Sequence, residues 1–364
     1  MSIRLVDGSM PDWDDELEIR FKSARRGRNV RGGKVPAPKT NSQKPGLSGP
    51  SALAKVARTV RKAPEVMVKI SGGGKNMQRI KAHFDYISRN GLVELEDENG
   101  LVLQGKEDVR DIRDAWAKGR IGIPYEGERR KEAFNIILSM PPGTDRQSVK
   151  DAARAFAAAQ FPTHQYVFAA HDDEKHPHVH LVVKAADRHG VRLNPRKADL
   201  QQWRELFAEK MREQGIEANA TPRKARGVVQ KSELQAWRGM ELRRPEDKRE
   251  TPILKQAQLD AAWREAEGGP KLQNLAEKHI QERRKKVQRT YGEIAKALVR
   301  GGEQERALAL EIVQFVRTMP PPQTRHERLV QQYREQPPAD RPSKAKEPQE
   351  RAQTRQPKDG QGRE

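Results

Sequence analysis

The chain has 364 residues, with 71 Lys or Arg against 51 Asp or Glu, and its formal net charge of +20 indicates a polyanionic partner. Only 34% of the residues are hydrophobic and 5% are aromatic, which excludes a single well-filled core for the whole chain. The absence of Cys excludes disulfides, thiolate metal sites and a Cys nucleophile. No apolar run approaches the roughly 20 residues that span a bilayer, so we expect no membrane insertion and a cytoplasmic protein.

The N-terminal residues 1–63 divide by charge. The first 18 residues are acidic, whereas residues 20–62 carry 13 Lys or Arg and no acidic residue. Their Gly, Pro and Ser content predicts a flexible basic arm, although residues 51–63 have the composition of a short basic helix. Either the arm is a solvated linker, or it grips DNA phosphates without regard to sequence. In the second case its candidate contacts are Arg25, Arg26 and Arg28.

Between residues 64 and 220 the spacing of apolar residues predicts one α+β domain with five or six strands and three or four helices. Val66, Val68 and Ile70 alternate as a strand, and a Gly-rich turn follows before an amphipathic helix. The further predicted elements are two short strands within 92–105, a helix over 107–119, a strand over 133–140, a helix from 145, strands over 165–170 and 177–184, and a helix over 198–215.

The last 144 residues read as two regions. Residues 221–318 contain no clear strand, and their charged, thinly apolar stretches predict a helical accessory region. Residues 319–364 are rich in Pro, Gln and Arg and have almost no large apolar side chain. That composition predicts a disordered tail.

Four of the nine histidines lie within the ten residues 171–180. Because side chains alternate along a strand, His178 and His180 point to one face while the Val and Leu residues between and after them point to the other. A short loop can return the chain so that His171, at the end of the preceding strand, supplies a third imidazole. Three neutral imidazoles leave positions open on a divalent ion, which is typical of a catalytic site. The alternative is a set of surface hairpin histidines.

Two neighbours extend this cluster. Asp173 can accept a hydrogen bond from an imidazole and so orient it. His176 is either a spare ligand or a loop residue.

A covalent nucleophile must come from residues other than Cys, and Tyr86 is the candidate. It lies near the end of the first amphipathic helix, in HFDYISRNG. On composition alone it reads equally as a core or surface tyrosine. His83 lies three residues earlier on nearly the same helix face, where it either assists deprotonation or is simply solvated.

Three motifs resemble those of plasmid relaxases, the mobilisation nucleases of the HUH endonuclease superfamily, and are closest to the T-DNA border endonuclease branch. HDDEKHPHVHLVV resembles the third motif, MQRIKAHFDYISRNGLVEL the first and NIILSMPPGTD the second. The resemblance implies Tyr86 as nucleophile, Asp173 as the acidic partner of the first His, and Ser139 as a residue that holds DNA near the nick. Lys184 departs from the pattern, because relatives commonly have Asn there. The implied metal ligands are His171, His178 and His180.

The resemblance also implies a fold and an activity for residues 64–220: an antiparallel sheet of about five strands flanked by helices, and nicking of one DNA strand at a plasmid transfer origin. A tyrosine attacks with the help of Mg or Mn, forms a 5′-phosphotyrosine link and later rejoins the strand. The implied partners are DNA, relaxosome accessory proteins and a type IV secretion coupling protein, with passage of the protein into the recipient cell. The alternatives are a rolling-circle replication initiator or transposase of the same superfamily, a water-using metallohydrolase, and a non-catalytic basic DNA-binding protein with a structural metal.

Overall fold

The computed structural model describes residues 50–119, 121–127, 130–229 and 253–336. These residues divide into two compact units. The sheet unit contains the described residues up to 226 together with 288–319, and the helical unit contains those of 227–287 and 320–336.

The described residues form six strands and nine helices. In chain order they are α1 (Pro50–Val60), β1 (Met67–Gly72), α2 (Met77–Ile87), β2 (Leu95–Asp97), β3 (Val102–Leu103), α3 (Gly105–Lys118), β4 (Ala133–Ser139), α4 (Arg146–Gln160), β5 (Tyr166–His171), β6 (His178–Lys184), α5 (Lys197–Glu213), α6 (Ile253–Ala266), α7 (Leu275–Leu298), α8 (Glu303–Arg317) and α9 (Arg325–Glu335).

All six strands belong to one sheet with the order β1-β4-β6-β5-β2-β3, and every neighbouring pair is antiparallel. The predicted α+β class, an antiparallel sheet flanked by helices, is confirmed. Its six strands agree with the five or six that the apolar spacing predicted, and they include the predicted short pair, β2 and β3.

One side of the sheet, which we call the core face, is closed by α4 and α5. The alternate residues Val179, Leu181 and Val183 of β6 lie there and are at most 1% exposed. They pack with Phe156 of α4 and Phe207 of α5. Each such side chain contributes about 1.5–3 kcal/mol through burial, so this face is a main source of the unit's stability.

The other side, which we call the histidine face, carries His178 and His180. Helices α2 and α3 cover it over β6, β5 and the short strands, through residues such as Phe84 and Trp116. They do not cover the edge strand β1, where Met67 is 46% exposed and Lys69 is also exposed. The histidine face is therefore half core and half open surface.

The structure differs from the predicted domain boundaries in three places. Helix α1 lies inside the predicted flexible arm 1–63 and buries Ala52, Val56 and Val60, one residue per turn. Helix α9 lies inside the predicted disordered tail 319–364 and begins with a capping box at Thr324. Helix α8 belongs to the sheet unit, although it falls within the predicted accessory region 221–318.

The rest of the arm and of the tail, residues 1–49 and 337–364, lies outside the described residues, and so do Arg25, Arg26 and Arg28. Within the described ranges, no helix combines the length and the apolar character that crossing a membrane requires.

Candidate active site at the end of the central strands

The hairpin of β5 and β6 brings three histidines together. His171 is paired directly with His178 across the two strands, and His180 lies two residues further along the same face of β6. The ring centroids are 5.3 Å apart for His171 and His178, 5.1 Å for His178 and His180, and 4.6 Å for His171 and His180. One ring nitrogen from each residue lies within 4.8 Å of the other two. This is the placement that strand alternation predicted.

Main-chain carbonyl groups fix the orientation of two of the imidazoles. Nε2 of His171 lies 2.7 Å from the oxygen of Ile87, and Nδ1 of His178 lies 3.0 Å from the oxygen of His176. Because a carbonyl oxygen only accepts, each of these ring nitrogens is the protonated one and donates. The other nitrogen, Nδ1 in His171 and Nε2 in His178, then carries the lone pair that a metal ion needs.

Burial favours the neutral form of two of the three imidazoles. Burial, followed by the neighbouring rings of His171 and His178, lowers the pKa of His180 to about 3. Burial likewise lowers the pKa of His171. Neutral imidazole is the form that binds metal.

Two unpaired ring nitrogens indicate that a metal ion fits this site. Nδ1 of His171 and Nδ1 of His180 are buried without a hydrogen-bond partner. Leaving such a nitrogen unpaired costs about 1–3 kcal/mol, and a bound cation removes that cost where the nitrogen is a ligand. The donor set of three neutral imidazoles therefore fits a divalent ion and leaves coordination positions for other ligands.

Helix α2 places Tyr86 beside the histidines. The helix starts after Asn76, whose side chain accepts a hydrogen bond from the backbone nitrogen of Arg79, and its residues Phe84 and Ile87 are buried. Tyr86 lies between them in sequence and turns outward, with 51% of its surface exposed. Its ring centroid is 5.7 Å from that of His180 and 6.3 Å from that of His171. The tyrosine is thus next to the candidate metal ligands and open to solvent.

His83 also faces the cluster. Its ring lies 5.9 Å from Tyr86 and 6.3 Å from His180, centroid to centroid. Its Nε2 is buried without a hydrogen-bond partner, and burial, followed by the charge of His171, lowers its pKa. His83 is a half-buried neighbour of the site, where helical spacing had placed it.

The sequence had predicted that Asp173 orients His171, but the structure shows no hydrogen bond between the two side chains. The carboxylate of Asp173 forms an ion pair with Arg89, and His171 is held by the carbonyl group of Ile87 instead. The guanidinium carbon of Arg89 lies 5.1 Å from the centre of the Tyr86 ring. The sequence pattern did not indicate Arg89, because this residue lies beyond the end of α2 in a left-handed conformation that helical spacing does not predict.

The remaining predicted residues lie at different distances from the cluster. Ser139 of β4 is directly across from His178, and its buried hydroxyl group donates a hydrogen bond of 3.4 Å to the oxygen of Met140. His176 is exposed, and its side chain is not among the three clustered imidazoles. Lys184 lies four residues beyond His180, about 13 Å along the strand, where its amine donates to Gln165.

Comparison with known proteins shows that part of this chain is similar to a family of nucleases. Residues 86–216 match the family model described as "Relaxase: MobA/VirD2-like, nuclease domain". The T-DNA border endonuclease VirD2 of Rhizobium radiobacter is 30% identical over 187 residues, which cover 46% of this chain and 44% of that protein. The proteins of the same name from Agrobacterium fabrum (strain C58 / ATCC 33970) and Rhizobium rhizogenes are each 28% identical over 186 residues, which cover 46% of this chain and 42% and 43% of the relatives.

The aligned segment thus spans less than half the length of each of these relatives. The family match begins at Tyr86 and includes all three clustered histidines. The resemblance to the relaxase family that the three motifs predicted is therefore confirmed for residues 86–216.

Proposed function

We propose that this chain is a relaxase, a site- and strand-specific DNA endonuclease that nicks one strand at a plasmid transfer origin and later rejoins it. The observation that carries the proposal is the exposed Tyr86, whose ring lies 5.7 Å from His180 in a cluster of three imidazoles. The family match over residues 86–216 supports the same conclusion.

The reaction is a transesterification at phosphorus. The phenolic oxygen of Tyr86 loses its proton and forms a bond to the phosphorus atom, while the bond from phosphorus to the 3′ oxygen breaks. The 3′ oxygen takes up a proton, and the 5′ end stays attached to the tyrosine. One phosphate ester replaces another, so the 3′ hydroxyl group can reverse the step and rejoin the strand without ATP.

Each residue of the site has a part in this step. A divalent ion, when bound, neutralises charge on the phosphate oxygens, a contribution of several kcal/mol. His171, His178 and His180 would hold that ion. The guanidinium group of Arg89 lies beside the nucleophile, 5.1 Å from the ring centre of Tyr86.

The open half of the histidine face is the proposed path for single-stranded DNA. Lys69 of β1 is in register with Ile137 of β4, which is in register with His180 of β6. Two strand spacings separate Lys69 from His180, or about 10 Å. A strand lying across β1 and β4 would meet the exposed Met67 and Lys69 before it reached the metal ligands and Ser139. Apolar contact with bases and a cation for phosphate are what non-specific binding of single strands requires.

The identity of the metal is a separate proposal. The resemblance to relaxases implies Mg or Mn, and we propose that one of these two ions occupies the site. The structural-zinc alternative requires a further protein ligand to close the site, and the cluster in the described part of the chain has three.

The wider biological context is a proposal that the resemblance to relaxases implies. We propose binding to relaxosome accessory proteins and to a type IV secretion coupling protein, with action in the cytoplasm and passage into the recipient cell. The segments that would serve these contacts include residues 1–49 and 337–364, outside the described ranges.

Replacement of Tyr86 by Phe tests the central proposal. A supercoiled plasmid that carries the DNA flanking the gene is incubated with the full chain and Mn²⁺, and covalent protein–DNA adducts are measured after denaturation. We expect no adduct with Tyr86→Phe, because the phenolic oxygen is the attacking atom. The matched control is Tyr125→Phe, since Tyr125 is also 51% exposed and should be dispensable. Adducts that survive in Tyr86→Phe would refute the assignment.

A further inference from the structure

We propose that Arg89 is a positioning residue for Tyr86, and that Asp173 acts on the tyrosine through Arg89 and not on the metal ligand His171. This inference rests on the proposed function, because it concerns the placement of the nucleophile in the nicking reaction. It assigns a role to Arg89 and changes the role that the sequence had implied for Asp173.

Two contacts connect the end of α2 to the histidine hairpin. In the first, the carbonyl group of Ile87 accepts a hydrogen bond of 2.7 Å from His171, the last residue of β5. In the second, the guanidinium group of Arg89 pairs with the carboxylate of Asp173, in the loop between the two histidine strands. Arg89 therefore links the segment that carries the nucleophile to the loop between the metal ligands.

The guanidinium group covers Tyr86 as well. Its carbon lies 5.1 Å from the ring centre, a separation at which a cation is attracted to an aromatic face. Burial alone lowers the pKa of Arg89, but the hydrogen bond and the charge of Asp173, together with Tyr86, raise it overall. His83 stacks on the tyrosine from the preceding helical turn, with an interplanar angle of 23°. Tyr86 thus has one neighbour a helical turn before it and one beyond the end of the helix.

The backbone after Tyr86 is unusual in a way that serves this contact. Arg89 and Asn90 have φ of +50° and +57°, a left-handed conformation that residues with a Cβ rarely adopt, and Gly91 follows at +89°. A side chain on Gly91 would place its Cβ 2.5 Å from the carbonyl carbon of Gly105, so this turn is held against the start of α3. Strained residues persist only where their surroundings hold them, and they cluster at functional sites.

The need for such a residue follows from the exposure of the nucleophile. Half of the Tyr86 surface faces solvent, so the histidine rings restrict its rotamers from one side only. An attacking atom must be held close to its attack position, and a misplacement of about 1 Å lowers the rate about 100-fold. Arg89, itself anchored by Asp173, restricts the exposed side of the ring.

The experiment measures the single-turnover rate of adduct formation on a saturating single-stranded oligonucleotide that contains the nick site, with the full chain and Mn²⁺. We expect Arg89→Ala and Asp173→Asn each to slow this step about 10- to 100-fold. The double variant should be no slower than the slower single variant, because both remove the same linkage. The control is Lys81→Ala, an exposed basic residue of α2, which should keep the wild-type rate.

Three further measurements separate positioning from other roles. Mn²⁺ affinity, from calorimetry, and oligonucleotide affinity, from fluorescence anisotropy, should stay near wild type in Arg89→Ala and in Asp173→Asn. Arg89→Lys keeps the charge but not the planar group, so its adduct rate should lie between those of wild type and Arg89→Ala. Thermal unfolding of each variant checks that it is folded.

Two outcomes would overturn the proposal. If Asp173→Asn weakened Mn²⁺ binding by about 10- to 100-fold while Arg89→Ala nicked normally, Asp173 would act on His171. If Arg89→Ala weakened DNA binding but kept its rate at saturation, Arg89 would be a DNA contact. Either result, combined with loss of adduct in Tyr86→Phe, would leave the proposed function standing. Adducts in Tyr86→Phe would remove the function itself.

Discussion

The two faces of the central sheet are formed by the same strands but have different roles. On β6 the odd-numbered residues, such as Leu181, close an apolar core with α4 and α5, whereas the even-numbered His178 and His180 leave polar atoms in a partly covered surface. The core face contributes buried apolar side chains, which stabilise the fold. The histidine face keeps imidazoles, those of His171 and His180 each with a buried unpaired Nδ1, next to an exposed tyrosine. Neighbouring residues of one strand should therefore separate stability from activity.

Replacement of His180 by Ala should have the largest effect on nicking. If His180 is one of three metal ligands, as proposed, its loss should release the ion and with it several kcal/mol of transition-state stabilisation, so adduct formation should fall about 1,000-fold. Without metal the same change should leave the free energy of unfolding nearly unchanged, because it removes a buried imidazole whose Nδ1 is unpaired. The measurements are adduct yield with Mn²⁺ and urea unfolding with a chelator present.

The matched control is Leu181→Ala on the adjacent residue. A buried Leu on the core face should cost about 2–5 kcal/mol of unfolding free energy when truncated, while the folded fraction should still bind Mn²⁺ and nick. If His180→Ala destabilised the metal-free protein as much as Leu181→Ala, the histidine would be a core residue and the division between the faces would fail.

This division was largely readable from the sequence, because it depends on local periodicity. Alternation on β6 separated His178 and His180 from the apolar residues, and helical spacing on α2 placed His83 on the same side as Tyr86. Both patterns depend only on residues a few positions apart.

The role of Arg89 was not readable in this way. It depends on a left-handed backbone at one residue and on a carboxylate 84 positions later in the chain. Secondary-structure propensity predicts neither the left-handed backbone nor the distant carboxylate. Asp173 was assigned to His171 because the two are close in sequence, but the carbonyl group of Ile87 already occupies the relevant nitrogen.

Helix α1 lies where the composition of residues 51–63 had indicated a short basic helix within the flexible arm. The spacing of Ala52, Val56 and Val60 supports it, since four-residue intervals line one helix face. Helix α9 fell within a segment interpreted as disordered, although Thr324 followed by Glu327 is the pattern of a capping box. For α9, overall composition was given more weight than local pattern.

The pH dependence of stability should also distinguish the two faces. The pKa of His180 is lowered to about 3 in the folded protein, from 6.5 for an imidazole in the unfolded chain. Between these values the unfolded chain binds a proton that the native state does not, so stability is full above pH 6.5 and falls as the pH decreases toward 3. From pH 6.5 to 5 the metal-free wild type should lose about 2 kcal/mol more than His180→Ala.

Urea unfolding with a chelator, at several pH values, measures this difference. His279→Ala is the control, because His279 is an exposed histidine of the helical unit and should leave the wild-type pH slope unchanged. Parallel curves for wild type and His180→Ala would mean that His180 is not buried in its neutral form.

The smallest expected effect concerns the open half of the histidine face. Lys69→Glu on β1 should weaken binding of single-stranded DNA several-fold and lower the slope of log affinity against log salt by about 1, because one phosphate contact is lost. The control is Lys197→Glu, which makes the same charge reversal at the exposed start of α5. This helix packs on the core face, on the opposite side of the sheet from the histidines. Fluorescence anisotropy across a salt series measures both variants. An equal loss in the two would indicate a response to net charge, whereas a loss in Lys69→Glu alone would place the strand of DNA across β1, beside the histidines.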